Sequence, residues 1–567
     1  MVFSSAATPG AREFAPPSAR EWTLLILLLM VGFSLRAYHI SQVALSHFDE
    51  SVYAYSAMGI TYPEGPRFLF PGQKKFSPPL YFSLIGIFYR LAGGPSDTAA
   101  ILPNVLLGTL TIALVWWAGR RWFGPPSGIA AAAMVALNEF HIRNSRTALT
   151  DVAFALFFLL ALMVIHAAFE RKKILAAILA GLAVGLAWNT KYHGWLALAI
   201  AGLAFLLCAW QNSVGIFSDM RRIWLFLVAA ATAAVCYLPW ALVVQFYGYG
   251  GYAELARYQS YFLSLNWIPN AWTQILNQLY FEGPLSRASV FVALLCVLLL
   301  AGGRARLNAR SLWVMLICAT SLFIGASGAA ALLAFLALPA LLRKPAPFAN
   351  WLVASWLFTW IVLTPFYTPY ARLTIPLLLV AFLLAGRTLQ DAFAESEQPA
   401  AGGILAPALA SLGAMAVALL PSPTTGPDRT PWQTTRSIPE IASRMDALLP
   451  KESRVNVVSE PALLYYLHLA GRGRSLRYGL PIPVGFDKQK PFYVVVRQGL
   501  KDPIAFEQIA EMGQAKQLAL VATYSPDPSE LELLDRLGPI RAHAFLSQPD
   551  HTFDFLLYRC VPAPPQP

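Results

Sequence analysis

Long apolar runs separated by short polar stretches fill the chain from Trp22 to about Leu420, each suited to a hydrocarbon core of about 30 Å. They predict about thirteen spans, at residues 22–38, 98–119, 127–140, 150–169, 174–189, 194–211, 223–246, 287–303, 311–326, 328–342, 349–366, 373–387 and 402–421. Two further segments are apolar but short. Pro79–Ala92 (PLYFSLIGIFYRLA) and Ser51–Ile60 read as amphipathic helices lying in the interface. Counting the first as a span would reverse the side of every later basic cluster.

Hydropathy drops after Leu420, where PSPTTGPDRTP reads as a linker over 421–436. The remainder, 437–567, alternates strand and helix patterns. Strands are expected at Arg454–Val458, Phe492–Val496, Leu518–Thr523 and Phe553–Tyr558, and helices at Pro461–Ala470, Pro503–Met512 and Ser529–Leu537. That is the pattern of an α/β layer domain. It contains no phosphate-cradling glycine motif, so a scaffold or acceptor-binding role is expected rather than a catalytic one.

Composition agrees with the pattern. The 567 residues are 57% hydrophobic and only 13% charged, with a mean hydropathy of +0.53. The chain is therefore expected to be a polytopic α-helical membrane protein, residues 1–420, carrying a C-terminal soluble α/β domain. The net charge of +12 lies mainly in loops between spans, which points to topology and anionic lipid and not to nucleic acid. With the N-terminus inside, Arg120–Arg121, Arg171–Lys172–Lys173, Arg221–Arg222, Arg304/Arg306/Arg310 and Arg343–Lys344 all fall on the cytoplasmic side. The first apolar run has no small-residue cleavage site after it and reads as a retained span. Five cysteines form no disulfide framework or CxxC pattern.

This topology leaves the unusual polar residues outside. They are Asp49–Glu50 in a first loop of about 39–97, Lys74–Lys75, the loop His141–Thr150, Lys191–His193, the loop Tyr247–Arg287 and Tyr367–Arg372. Ionisable groups at span ends facing a cavity are functional candidates. A carboxylate such as Asp49, Glu50 or Asp151 can take the proton of a hydroxyl as it attacks carbon. Lys74, Lys75, Arg143, Arg146, Lys191 and Arg372 can stabilise a phosphate that leaves with growing negative charge. Taken singly, each cation reads as a snorkelling anchor, and the aromatics between Tyr249 and Trp272 as an interfacial belt or a lid. The shared side is what argues for a site.

The order FDE with YAYSAMG, SPPLYFSL, SRTALTD, NTKYHG and YTPYARLTIPLLL resembles the C-type glycosyltransferases that use polyprenyl-phosphate sugars. It is most similar to the branch of the protein O-mannosyltransferases and the aminoarabinose transferases of lipid A, over roughly residues 20–420. The resemblance implies transfer, with inversion, of a sugar from a phosphorylated polyprenol in the outer leaflet to an acceptor hydroxyl. It implies that Asp49 is the general base, that Asp151 positions substrate, and that Arg372, with Tyr370 as companion, lies near the lipid phosphate. Relatives often carry Lys or His before PPL, where this chain has Ser77, with Lys74 and Lys75 just upstream.

His47, Asp49, Glu50 and Asp151 offer oxygen and nitrogen atoms of the kind that bind divalent ions. A monophosphate needs less countercharge, and lysines and arginines are at hand, so neither metal nor cofactor is expected. His141 and His193 read as ordinary interface residues. Expected partners are the lipid-linked donor, a lipid, protein or glycan acceptor, and membrane lipids, at an inner membrane with the active side extracytoplasmic. A transporter or flippase is the alternative, but it calls for acids or broken helices near the midplane, whereas these acids lie at span ends. A non-catalytic assembly protein leaves the pair at Asp49 unexplained.

Overall fold

The computed structural model describes residues 16–62, 77–213, 219–247, 250–301, 309–343, 345–393, 411–412, 415, 432, 436–458, 460–478, 492–497, 518–526 and 554–560. Among them, eight helices are long and apolar enough to cross a membrane. These are α1 (Ala19–Ala37), α4 (Asp97–Trp122), α7 (Thr150–Arg171), α10 (Met220–Leu242), α13 (Pro284–Ala301), α14 (Ala309–Leu341), α15 (Phe348–Leu363) and α16 (Ile375–Ala392). Shorter apolar helices α5 (Pro125–Leu137), α8 (Ile174–Thr190) and α9 (Leu196–Gln211) complete the bundle. The expected span at 402–421 lies almost wholly outside the described residues.

The two expected spans 311–326 and 328–342 form one continuous element, α14, broken at Gly325. There φ is +69°, a backbone shape that L side chains rarely adopt, and a Cβ would meet the Glu282 carboxylate. Both ends of α14 approach the same face of the bundle: Arg310 lies 3.8 Å from Asp391, and the Leu342 carbonyl accepts from Gln211. The break thus turns the element back.

That face is a layer of ion pairs, Arg120–Glu21 at 2.9 Å, Arg121–Glu170 at 2.7 Å and Lys172–Asp219 at 2.9 Å. These use basic residues the charge pattern put on one side. In the interior, small residues allow close approach. Ala130–Ala133 are fully buried, and a Cβ on Gly119 would lie 2.8 Å from the Cα of Gly128. Leucines and isoleucines such as Ile26, Leu27, Leu227 and Leu238 stay exposed on α1 and α10, as a lipid-facing surface requires.

The opposite face carries short helices. α2 (Phe48–Thr61) and α3 (Leu80–Leu91) occupy the segments expected to be interfacial. The segment expected as the loop His141–Thr150 begins inside a short helix, α6 (Glu139–Ser145), and the loop Tyr247–Arg287 contains α11 (Gly251–Ser260) and α12 (Trp267–Tyr280).

Beyond these, α17 (Ser437–Leu448) leads into β1 (Arg454–Val458), α18 (Pro461–Leu467), β2 (Leu476–Tyr478), β3 (Phe492–Arg497), β4 (Leu518–Tyr524) and β5 (Phe555–Cys560). The sheet order is β2-β1-β3-β5-β4, parallel for β2-β1-β3 and antiparallel for the β5 pairs. Four strands and α18 stand where the alternation placed them. The three-residue β2 was too short to show a pattern. The helices expected at Pro503–Met512 and Ser529–Leu537, and the linker PSPTTGPDRTP, lie outside the described residues.

Candidate active site

The acid pair opens α2. His47 is its N-cap: the Asp49 amide donates to His47 Nδ1 at 3.0 Å, and the His47 amide donates to Glu50 Oε2 at 3.0 Å. This is a capping box with histidine in the serine position. Carboxylates in a helix's first turn also face the positive end of its dipole. Asp151 occupies the same position in α7, one residue after Thr150. Lys191 stands at the other kind of terminus, as the C-cap of α8, where a cation is favoured.

Arg372 joins the two acids. It lies on a single tight turn, Ala371–Thr374, just before α16. Its Nη2 is 2.7 Å from Asp49 Oδ2, and its Nε is 3.8 Å from Asp151 Oδ2. Asp151 Oδ1 receives Lys191 Nζ at 2.5 Å. The guanidinium lies 5.1 Å from the Tyr370 ring centre and 3.5 Å from His47 Nε2. Side-chain exposure is 4% for Asp151, 12% for Arg372 and 16% for both Asp49 and Lys191. Two acids and two cations therefore share a semi-enclosed cluster at the end of the bundle opposite the ion-pair layer.

Glu50 is used differently from its neighbour. Its Oε1 accepts from the Ala148 amide at 2.8 Å, while Oε2 closes the cap on His47. Burial pushes this carboxyl above the ordinary glutamate range, against the pull of the His47 charge and these amide donors. Glu50 thus ties the start of α2 to the strand of chain leading into Asp151. Tyr53, one turn on from Asp49, has its phenol pushed up by burial and by the Asp49 charge, and it bonds Thr150.

Of the cations expected near a phosphate, Lys191 and Arg372 are in this cluster, with Tyr370 beside them. Arg146 donates to the carbonyls of Arg36 at 2.8 Å and Tyr38 at 2.5 Å, at the end of α1. Lys74 and Lys75 lie outside the described residues. Arg143 lies over the Phe281 ring. His141 is fully buried and bonds the Arg36 guanidinium at 2.9 Å, so it is a packing residue and not an interface one. Among the described residues, no group of three histidine, cysteine, aspartate or glutamate side chains is arranged to hold a metal ion.

The turn bearing Arg372 is held by a device that the loop's aromatics had hidden. Along α12, Trp267 Nε1 donates to the Val362 carbonyl at 2.9 Å, Asn270 to Pro365 at 2.8 Å, Gln274 to Thr364 at 3.0 Å and Asn277 to Pro369 at 3.1 Å. Positions 270, 274 and 277 share one helix face. Phe262 stacks on Tyr367 at 5.6 Å, and its carbonyl accepts from the Thr368 amide at 2.7 Å.

Comparison with known proteins bears on the fold that carries this cluster. Residues 77–242 match the family model of dolichyl-phosphate-mannose-protein mannosyltransferase. No curated protein sequence matches the chain. Among solved structures, it is similar to ArnT from Cupriavidus metallidurans bound to undecaprenyl phosphate. The identity is 15%, covering 97% of this chain and 100% of that one, with a TM-score of 0.53. It is also similar to the oligosaccharyltransferase AglB from Archaeoglobus fulgidus, in complex with an inhibitory peptide and a dolichol-phosphate. There the identity is 13%, covering 89% of this chain and 73% of that one, with a TM-score of 0.52. At these identities the likeness is one of fold. The likeness to solved structures shows a multi-pass membrane fold of the GT-C type, and the family model matches one segment of it, residues 77–242.

Proposed function

We propose that the chain moves a sugar from a polyprenyl-phosphate carrier to an acceptor hydroxyl, on the extracytoplasmic side of an inner (plasma) membrane, with inversion. The observation that carries this reading is Arg372, set between Asp49 and Asp151 with Lys191 on the far oxygen of Asp151. The acceptor oxygen attacks the anomeric carbon, and its proton passes to Asp49 as the new C–O bond forms. The bond from that carbon to the phosphate oxygen breaks on the opposite face. The carrier phosphate leaves with an added negative charge, which Arg372 and Lys191 neutralise.

Arg372 rests on Asp49, and Lys191 on Asp151. Phosphate oxygens compete for the planar guanidinium fork, which frees Asp49 Oδ2 for the acceptor. Asp151 keeps Lys191 and Arg372 in place, Tyr370 supports the guanidinium face, and Glu50 acts through the main chain by fixing the start of α2. Arg146 is assigned to holding the end of α1. Cations already face both carboxylates, so the reaction is read as independent of metal.

The depth of the site follows from its substrate. A lipid-borne sugar presents its anomeric carbon just above the headgroups, where α2 begins. The basic clusters of the opposite face support the reading that this side faces away from the cytoplasm.

The test is transfer from a panel of radiolabelled polyprenyl-phosphate sugars by purified, lipid-reconstituted protein. Wild type is expected to turn over with or without EDTA, and Asp49→Asn to lose at least about 10²-fold in kcat. Loss with EDTA would bring a metal into the site. Full turnover by Asp49→Asn would remove the assigned base, and movement of intact donor across the bilayer without transfer would favour a flippase.

A further inference from the structure

The C-terminal domain meets the site through one short helix. Every residue of α18, from Pro461 to Leu467, is buried. A helix on the outer layer of an α/β sheet keeps a solvent face. This one has none, because α17 packs along one side of it and α2 covers another, with Tyr89 of α3 reaching its edge. Leu464 and Tyr465 of α18, Val457 of the sheet, and Ala54, Met58 and Tyr81 of the external helices belong to one apolar core.

Four hydrogen bonds run through that core. The hydroxyl of Tyr466 accepts from the amide of Leu45 at 2.7 Å and donates to the Asp97 carboxylate at the start of α4. Leu45 precedes the N-cap His47 by two residues, so this bond fixes how the chain enters α2. The hydroxyl of Tyr465 is 3.4 Å from that of Tyr89, which also reaches the Ala54 carbonyl of α2 at 3.4 Å. Just past α18, the His468 ring meets Tyr55 edge-on, with centres 5.3 Å apart. The helix is therefore held at its entry and again one to two turns later.

We infer that the C-terminal domain is a positioning element for Asp49, and that Tyr466 is the residue through which it acts. This rests on the reading of Asp49 as the general base. A base must meet the acceptor hydroxyl within hydrogen-bond reach, and a displacement of about 1 Å costs on the order of 10²-fold in rate. One residue of slip in a helix turns a side chain by about 100°. The capping box sets where α2 starts relative to its own chain. Tyr466 sets where that start lies relative to α4, through Asp97. Arg372 and Lys191 sit on elements that α18 does not hold, so binding of the donor phosphate is separate from this constraint.

The experiment compares full-length, reconstituted wild type with Tyr466→Phe, which removes one hydroxyl and keeps the ring. The expected result is a fall in kcat of about tenfold, an unchanged KM for the lipid donor, and faster amide hydrogen exchange over Leu45–Tyr55. Tyr465→Phe gives the same signature at smaller size and stands in if the first variant folds poorly. Tyr558→Phe, in the same domain on β5, leaves both readouts at wild type.

Wild-type kcat in Tyr466→Phe, a raised KM at unchanged kcat, or unaltered exchange would each overturn the inference. Asp49→Asn run in parallel separates the two ideas. If it stays active, the assignment of the base falls. If it is dead while Tyr466→Phe is normal, only the positioning role falls.

Discussion

The two halves of the site are held by opposite means. The acid half, the start of α2, is packed from behind by an apolar core shared with α18 and β1, with a few hydrogen bonds at its entry and partway along it. The cationic half is a length of main chain, 362–370, that makes little secondary structure and takes hydrogen bonds from a polar stripe on α12. Apolar packing is non-directional and absorbs small changes. Hydrogen bonds to named carbonyls are directional, and an unmade one costs about 1–3 kcal/mol. The acid half should therefore tolerate conservative repacking, and the cationic half should not.

The largest effect expected on the cationic half is at Arg372 itself. Arg372→Lys keeps the charge but loses the fork that reaches both Asp49 and Asp151. A drop of about 10²-fold in kcat/KM is expected, with most of it in donor KM. Measured transfer that is indifferent to the exchange would mean that a point charge suffices, and the fork argument would fail.

Asn277→Leu comes next. It removes the donor to Pro369 and leaves that carbonyl facing an apolar group at a position 3% exposed. One lost buried hydrogen bond of about 1–2 kcal/mol corresponds to roughly a tenfold rise in donor KM. The matching change on the acid half, Met58→Leu in the shared core, conserves volume and is expected to shift KM and kcat less than about twofold. Equal losses at both positions, measured as initial rates across donor concentrations, would erase the contrast between the halves.

The legibility of the molecule divides along similar lines. Helices and most strands follow from runs and alternation that each carry their own local signal. Asp49 and Asp151 could be found because an acid at a span end is costly and therefore conspicuous. Arg372 was locatable as a residue, but its contact with Asp49, 323 positions away, is a product of the packed fold. The stripe Asn270, Gln274 and Asn277 was present in the sequence at helical spacing, yet the aromatics of the same loop gave the stronger pattern. Arg146 looked like the other external cations. Only the carbonyls of Arg36 and Tyr38, which end α1, distinguish it. Tyr466 lies in an ordinary apolar helix pattern, and nothing in that pattern shows that both of its faces are covered.

The smallest expected effect concerns a carboxyl behind the cationic half. Glu282, between α12 and α13, accepts from Asn138 Nδ2 at 3.0 Å, from the Ser327 amide at 3.0 Å and from the Ser327 hydroxyl. It thereby caps the helix that resumes after the break at Gly325, and Gln278 links Ser327 to Thr374 on the turn of Arg372. Burial outweighs these donors and pushes the Glu282 carboxyl from its ordinary 4.5 up to about 7. The folded protein thus holds this proton more tightly than the unfolded chain. Its contribution is full below about pH 4.5 and is lost as pH rises toward 7, by roughly 3 kcal/mol across that window. Glu282→Gln is neutral throughout and exchanges one acceptor for a donor facing the Ser327 amide. It should be less stable than wild type at pH 5 by about 1–3 kcal/mol, and the two should converge as pH approaches 7. Unfolding curves of detergent-solubilised protein between pH 5 and 7.5 measure this. A wild-type stability that instead rises with pH across that window, by an amount the variant lacks, would mean that Glu282 is charged in the fold and that the cap at Ser327 is ionic.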